Sequence, residues 1–234
     1  MARQTSPRNR NSGTAQPRLP RRSRGRPGAD APDLRPRLLD AALACYAAKG
    51  IAATSLRDIA RHAGVTPALL HYYFGDGAQL LEAIVAERLL PALEPLRESV
   101  QQADDRVAAL VEAFVNGIAA AIMRHPWLPA LWVREVVSDG GGLRGLLVER
   151  VAPPIARSMA ERFAAAQARG ELNPDLDPRL LMVSLVGLTM FPAAGAPIWR
   201  RVFDAEELGM DDVRRHALAL LDRGLELEAR HGAE

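Results

Sequence analysis

Cysteine and lysine are almost missing from this chain of 234 residues: Cys45 is the only thiol and Lys49 the only lysine. One cysteine cannot make an intramolecular disulfide or a multi-cysteine zinc site, which fits a reducing cytoplasm. One lysine, not preceded by a glycine-rich loop, excludes a phosphate-binding P-loop and leaves the positive charge to arginine. No metalloprotease helix motif, nucleophile-elbow glycine pattern or dinucleotide fingerprint occurs either. His62, His125, His216 and His231 are too scattered to suggest a metal site. Asp104-Asp105 and Asp211-Asp212 fall at predicted helix starts, where carboxylates complement the macrodipole, so they read as caps and not as an acid/base pair. The sequence therefore suggests neither an enzyme nor a cofactor. What is present is 48% hydrophobic and 25% charged residues with only 5% aromatics. That is the composition of a soluble, helix-leaning globular chain able to bury roughly 70 to 75% of its unfolded surface.

The net charge of +2 conceals a division. Residues 1 to 28 hold eight arginines and no acid, so a tail of +8 is attached to a body of −6. Such an arm suits nucleic acid or an anionic surface, or serves only as a solvated leader. No signal-peptide apolar stretch is seen, and Pro7, Pro17, Pro20 and Pro27 break any amphipathic transit helix. Leu180 to Trp199 lacks charge over 20 residues, long enough for a membrane span. Pro192, Gly195 and Pro197 are expected to stop the helix, leaving Leu180 to Phe191 as a core or interface helix with no membrane.

Residues 1–33 read as a disordered basic arm, rich in Arg, Pro, Ser and Gly. Helical periodicity follows: Leu38, Ala42, Cys45 and Tyr46 form one stripe, ending at Gly50. Ser55 and Asp58 form a capping box for a second helix that buries Leu56, Ile59 and Ala60. Ala63-Gly64-Val65 is a tight turn, after which Thr66 caps and Pro67 opens a third helix. Further helices are predicted over 77–90, 92–101, 105–124, 127–138, 143–169, 177–191 and 211–229, with Pro91, Pro95, Pro126 and the glycines at 140–142 as punctuation and 139–142 as a flexible connector.

Two short helices joined by three residues have helix-turn-helix geometry. The details are Thr54-Ser55-Leu56-Arg57-Asp58-Ile59-Ala60, then Ala63-Gly64-Val65-Thr66, then Leu70-His71-Tyr72-Tyr73-Phe74 and Leu80-Leu81. From Arg35 to about Leu90 the chain resembles the DNA-binding domain of TetR/AcrR-type transcriptional regulators. The resemblance implies an all-α fold: a helix-turn-helix domain over 34–80, then a larger helical ligand-binding and dimerisation domain over 81–234. It further implies a cytoplasmic homodimer, most often a repressor, that binds double-stranded palindromic operator DNA and is released by a small effector. A constitutive or architectural DNA binder without a ligand is the alternative.

By this resemblance Leu70 and Phe74 pack inward, Pro67, Ala68, Leu69, His71 and Tyr72 face base edges, and Tyr73 meets a phosphate or packs the small domain. Ala68 and Leu69 suit thymine methyls, and His71 with the tyrosine hydroxyls suits single hydrogen bonds. Thr66, Ser55 and Arg57, at helix starts, suit DNA-backbone contact and positioning. Gly77 stands where the family usually carries a lysine, which removes one phosphate contact. Residues 34–90 balance to only +1, so affinity falls to the arm, whose Arg22-Ser23-Arg24-Gly25-Arg26-Pro27 resembles an AT-hook core with Arg24 and Arg26 in the minor groove. Phe114, Met123, Trp127, Trp132, Met159, Phe163 and Met182 are the candidate walls of an apolar effector site, a small apolar or amphipathic molecule being the implied ligand, although the same spacing also describes a filled core. Arg134, Glu135 and His125 are the nearby polar candidates. Two apolar stripes, Leu180, Leu181, Ser184, Gly187, Leu188, Phe191 and Val213, Ala217, Leu220, Gly224, Leu225, are the candidate dimer seam.

Overall fold

Capping chemistry sets the first three helices. A computed structural model describes residues 33–225; Arg24, Arg26 and the rest of the arm, and the residues after 225, lie outside the described residues. Helix α1 (Arg35–Lys49) buries Leu38, Leu39, Ala42, Cys45 and Tyr46 and ends at Gly50, whose φ of 89° favours glycine. In α2 (Leu56–Ala63) the Ser55–Asp58 capping box is formed in both directions, and Gly64 closes the helix in the left-handed region at φ 68°. Thr66 caps α3 (Pro67–Phe74), and α4 (Gly77–Ile84) starts from a second capping box, Asp76 with Gln79. Ile59, Leu70, Phe74, Leu80 and Ile84 close over the inner face of α1.

The body comprises α5 (Leu90–Gln102), α6 (Val107–Arg124), α7 (Leu128–Trp132), the single turn α8 (Arg144–Leu146), α9 (Ala152–Ala168), α10 (Pro178–Val202) and α11 (Met210–Leu225), with no strand among the described residues. Helix α6 lies centrally, packed on α5, α10 and α11. A Cβ added at Gly117 would lie 3.2 Å from the Leu96 Cα, so this glycine lets α5 approach closely. Arg162 of α9 ties the end of α5 to the next turn, donating to the Val100 carbonyl at 2.8 Å and to Asp105 at 2.6 Å. One buried hydrophobic cluster runs from Leu38 to Leu221, and position 80, the expected domain division, falls inside α4.

Pro126 falls in the break between α6 and α7, but Pro91, Pro95, Pro192 and Pro197 do not break the helices as expected. Between α4 and α5 the chain widens into a π turn, Val85–Leu89, just ahead of Pro91. Pro91 has no N–H for the Glu87 carbonyl, and the Arg88 guanidinium donates to that carbonyl at 2.9 Å instead. Helix α10 likewise continues through Pro192 and Pro197 as far as Val202. The expected stop at Phe191 is corrected: the helix runs on past the Leu188 and Ala193 carbonyls that the two prolines leave without an i+4 amide, and the Trp199 indole donates to the Pro192 carbonyl at 2.8 Å. Further π turns occur at Val133–Val137 and Leu147–Val151.

Candidate nucleic-acid interface and effector cavity

The α2–turn–α3 unit presents α3 outward. Leu70 and Phe74 are buried, Thr66, Pro67, Ala68, His71 and Tyr72 are exposed, and Leu69 and Tyr73 are half-buried. Tyr72, 70% exposed, stands edge-on to Tyr73 at 5.6 Å between ring centroids. Tyr73 and Phe74 are held from below by Arg35, which donates to the Tyr73 carbonyl at 3.2 Å and lies 4.7 Å over the Phe74 ring. The same guanidinium pairs with Glu87 and, through this bond, holds that carboxyl below the usual range. Arg37 donates to the Ala63 carbonyl at 2.7 Å, fixing the end of α2.

The hydroxyls at the two helix starts differ. Ser55 Oγ accepts from the Asp58 amide at 3.2 Å and donates to the Asp58 carboxylate at 2.5 Å. Its one proton is committed, so no donor is left there for a phosphate, and the bond holds Asp58 below its ordinary range. Thr66 Oγ1 only accepts, from Leu69 N at 3.3 Å, so its proton remains to give. His71 Nδ1 lies against the Gly75 carbonyl. A carbonyl accepts only, so Nδ1 carries the proton and in the neutral ring Nε2 is an acceptor. Arg57 is exposed at the start of α2, and Arg61 pairs with Asp58.

A second feature lies in the body: an apolar cavity of about 160 Å³ between α5, α6, α7, α9 and α10. Phe114, Trp132 and Met182 line it, with Leu93, Ile118, Val136, Leu143, Ile155 and Met190 among the others, and no charged or hydrogen-bonding side chain except the Trp132 indole reaches its wall. All three π turns contribute to the lining through Leu89, Val136, and Leu147 with Val151. Met123 points to solvent, 51% exposed, because it sits on the face of α6 that no helix covers. Met159 and Phe163 are fully buried in the core but do not border this cavity, and Trp127 packs beside His125 at 5.5 Å. Of the expected polar groups, Arg134 is exposed, His125 is half-buried with burial lowering its pKa, and Glu135 is buried but turned to backbone amides. Sequence reasoning missed most of the segment 143–156, which supplies much of the wall.

A third feature is the outer face of α10. Leu180, Val183, Phe191 and Ile198 are exposed along it, and Gly187 has open space at its Cβ position. Leu181, one of the expected seam residues, is 5% exposed because it packs on the opposite side of the helix, and Ala217 of α11 is buried in the same way. Leu220 is half exposed; the side chains of residues 224 and 225 lie outside the described residues. Helices α6 and α10 are each long and apolar enough to cross a membrane, with half of the first and 28% of the second buried within the protein.

A capped helix-turn-helix with an exposed second helix, continuous with an all-helical body, defines a DNA-binding transcriptional regulator. Residues 38–84 match the family described as bacterial regulatory proteins, tetR family. The UidR transcriptional regulator of Escherichia coli (strain K12) is 26% identical over 172 residues, covering 68% of this chain and 80% of that protein. Among solved structures, the ketosteroid transcriptional regulator KstR2 of Mycobacterium tuberculosis shares the fold with a TM-score of 0.64 and 20% identity, over 85% of this chain and 97% of that one. FadR from Bacillus subtilis, solved in complex with stearoyl-CoA, does so with a TM-score of 0.61 and 18% identity, over 81% and 98%. Together these matches support a TetR-family transcriptional regulator, the family model itself covering the helix-turn-helix segment of residues 38–84.

Proposed function

We propose that this protein is a ligand-responsive repressor that binds a palindromic operator as a homodimer in the cytoplasm and releases it when a small apolar or amphipathic molecule enters the body of residues 81–234. The observation that carries this reading is the pairing of an outward-facing α3 with a hydrocarbon-lined cavity bordered by three π turns. Wide helical turns of this kind concentrate at functional sites. Its lining favours apolar ligands, and at about 160 Å³ it matches the size of an interior cavity that takes benzene. The similar fold of FadR, solved in complex with stearoyl-CoA, supports an amphipathic effector as a class. Members of the family are transcriptional regulators, which are generally not enzymes.

Dimerisation is supported by α10. Its inner side, with Leu185, Thr189 and Met190, is buried in the protein, while Leu180, Val183, Phe191 and Ile198 face outward in one stripe. A lipid span would need apolar surface all around, whereas one stripe suits a second copy related by two-fold symmetry. Two copies then set their α3 helices one helical turn apart on a duplex, about 34 to 36 Å. The test is selection of bound duplexes from a random pool, followed by sedimentation of the complex. A palindromic site bound by two chains is the expected result. Enrichment of asymmetric sites bound by single chains would overturn the dimeric reading.

A further inference from the structure

Glu135 is a buried carboxylate, 4% exposed, in the middle of the π turn Val133–Val137, and no ion pair with it occurs among the described residues. Two backbone amides hydrogen-bond it instead. Oε1 accepts from Ile51 N at 2.9 Å, in the loop that leads from α1 to the helix-turn-helix. Oε2 accepts from Gly142 N at 2.9 Å, and the Glu135 carbonyl accepts from Leu143 N at 3.0 Å. The fit is close on both sides. A Cβ added at Gly50 would sit 3.0 Å from Oε1, and one at Gly141 would sit 2.3 Å from the Glu135 carbonyl oxygen. The glycines at 140–142, expected as a flexible connector, thus include Gly141, fitted against the Glu135 backbone, and Gly142, whose amide holds the carboxylate.

The other side of this clasp is the cavity wall. Trp132 and Val136, on the same helical turn as Glu135, and Leu143, bonded to its carbonyl, all line the cavity. We infer that Glu135 is the positioning residue through which the cavity is coupled to the reading helix. A ligand that moves Trp132, Val136 or Leu143 alters the carboxylate's hold on Ile51, and with it the attitude of α1, on which α2 and α4 pack and hold α3 between them. A buried charge held only by amides is costly wherever a well-packed apolar residue would serve, and its geometric specificity suits a coupling role. The inference rests on the proposed ligand-gated reading and names the device that transmits it.

The test compares wild type with Glu135→Gln, using an operator duplex selected by the full-length protein and benzene as the apolar probe. Each protein's operator affinity is measured with and without saturating benzene, and benzene binding is followed separately by Trp132 fluorescence. The wild type is expected to lose at least about fivefold in operator affinity, the lower end of allosteric coupling. Glu135→Gln should bind benzene as wild type does while the ratio of affinities falls to within about twofold of one. A Glu135→Gln ratio equal to that of wild type overturns the inference and leaves the gating intact. A wild type that binds benzene without losing operator affinity removes the gating itself, and the clasp with it. Should Glu135→Gln fail to fold, amide exchange in the wild type decides: benzene should speed exchange at Ile51 and Gly142, and unchanged exchange there overturns the inference.

Discussion

Arg35 joins α1 to α3 and to the first π turn through one guanidinium, so a side chain behind α3 orients the helix proposed to read DNA. Its partner Glu87 has a lowered folded pKa, so its stabilising contribution is present above the unfolded carboxylate value, about 4.3, and is lost as pH falls through the folded value. Accordingly the Tm gap between wild type and Glu87→Gln should narrow in melting curves taken from pH 6 down to pH 3; it is small throughout because both side chains are more than a third exposed or close to it. A gap that widens with acid would contradict the assignment. His71, with its acceptor Nε2 outward, suits the exocyclic amine of cytosine or adenine. His71→Ala should cost about 1 to 3 kcal/mol at one base-pair position and relax preference there, read by competition with single-position operator variants. The buried and exposed sides of α3 were legible through the family resemblance, which implies that Leu70 and Phe74 pack inward. That Ser55 spends its proton on Asp58 was not, because a capping box and a phosphate contact call for the same residue types.

At the scale of elements, helix starts were legible wherever a side chain makes the cap, as at Ser55, Thr66 and Asp76. Helix continuity was not. Pro91, Pro192 and Pro197 looked like stops, but a π turn and an arginine accommodate Pro91, and α10 runs on through the other two. The turn at Gly77, the first residue of α4, tests the electrostatics: nothing lies within 4 Å of a Cβ built there. Gly77→Lys should fold unchanged, tighten DNA binding and steepen the salt dependence by about 0.9 in log–log slope. An unchanged slope would place this turn away from the phosphates. For α10, Phe191→Arg replaces a side chain 70% exposed and should give a folded monomer with weakened operator binding in sedimentation. An intact dimer would rule out this face. Leu181→Arg is a different experiment, since that residue is buried and its substitution reports on folding.

For the whole molecule, charge and cavity divide the labour. The tail's +8 and the body's −6 were legible from arginine count alone, and the structure sharpens the point by engaging Arg35, Arg37 and Arg88 within the fold. Deleting residues 1–28 should therefore weaken operator binding and flatten its salt slope, and unchanged affinity and slope would make the arm a passive leader. The cavity was legible only as an apolar composition, because periodicity cannot distinguish a filled core from a lined space; Phe163 and Trp132 look alike in sequence and differ in what they border. The central claim, that filling this cavity releases DNA, is tested by titrating the complex of full-length protein and fluorescent operator duplex with small hydrocarbons from benzene upward. Operator anisotropy and Trp132 fluorescence are followed together. The account predicts that release tracks the tryptophan signal at the same ligand concentrations. A cavity that fills, by that signal, while the operator stays bound at unchanged affinity would contradict it and leave a constitutive DNA binder.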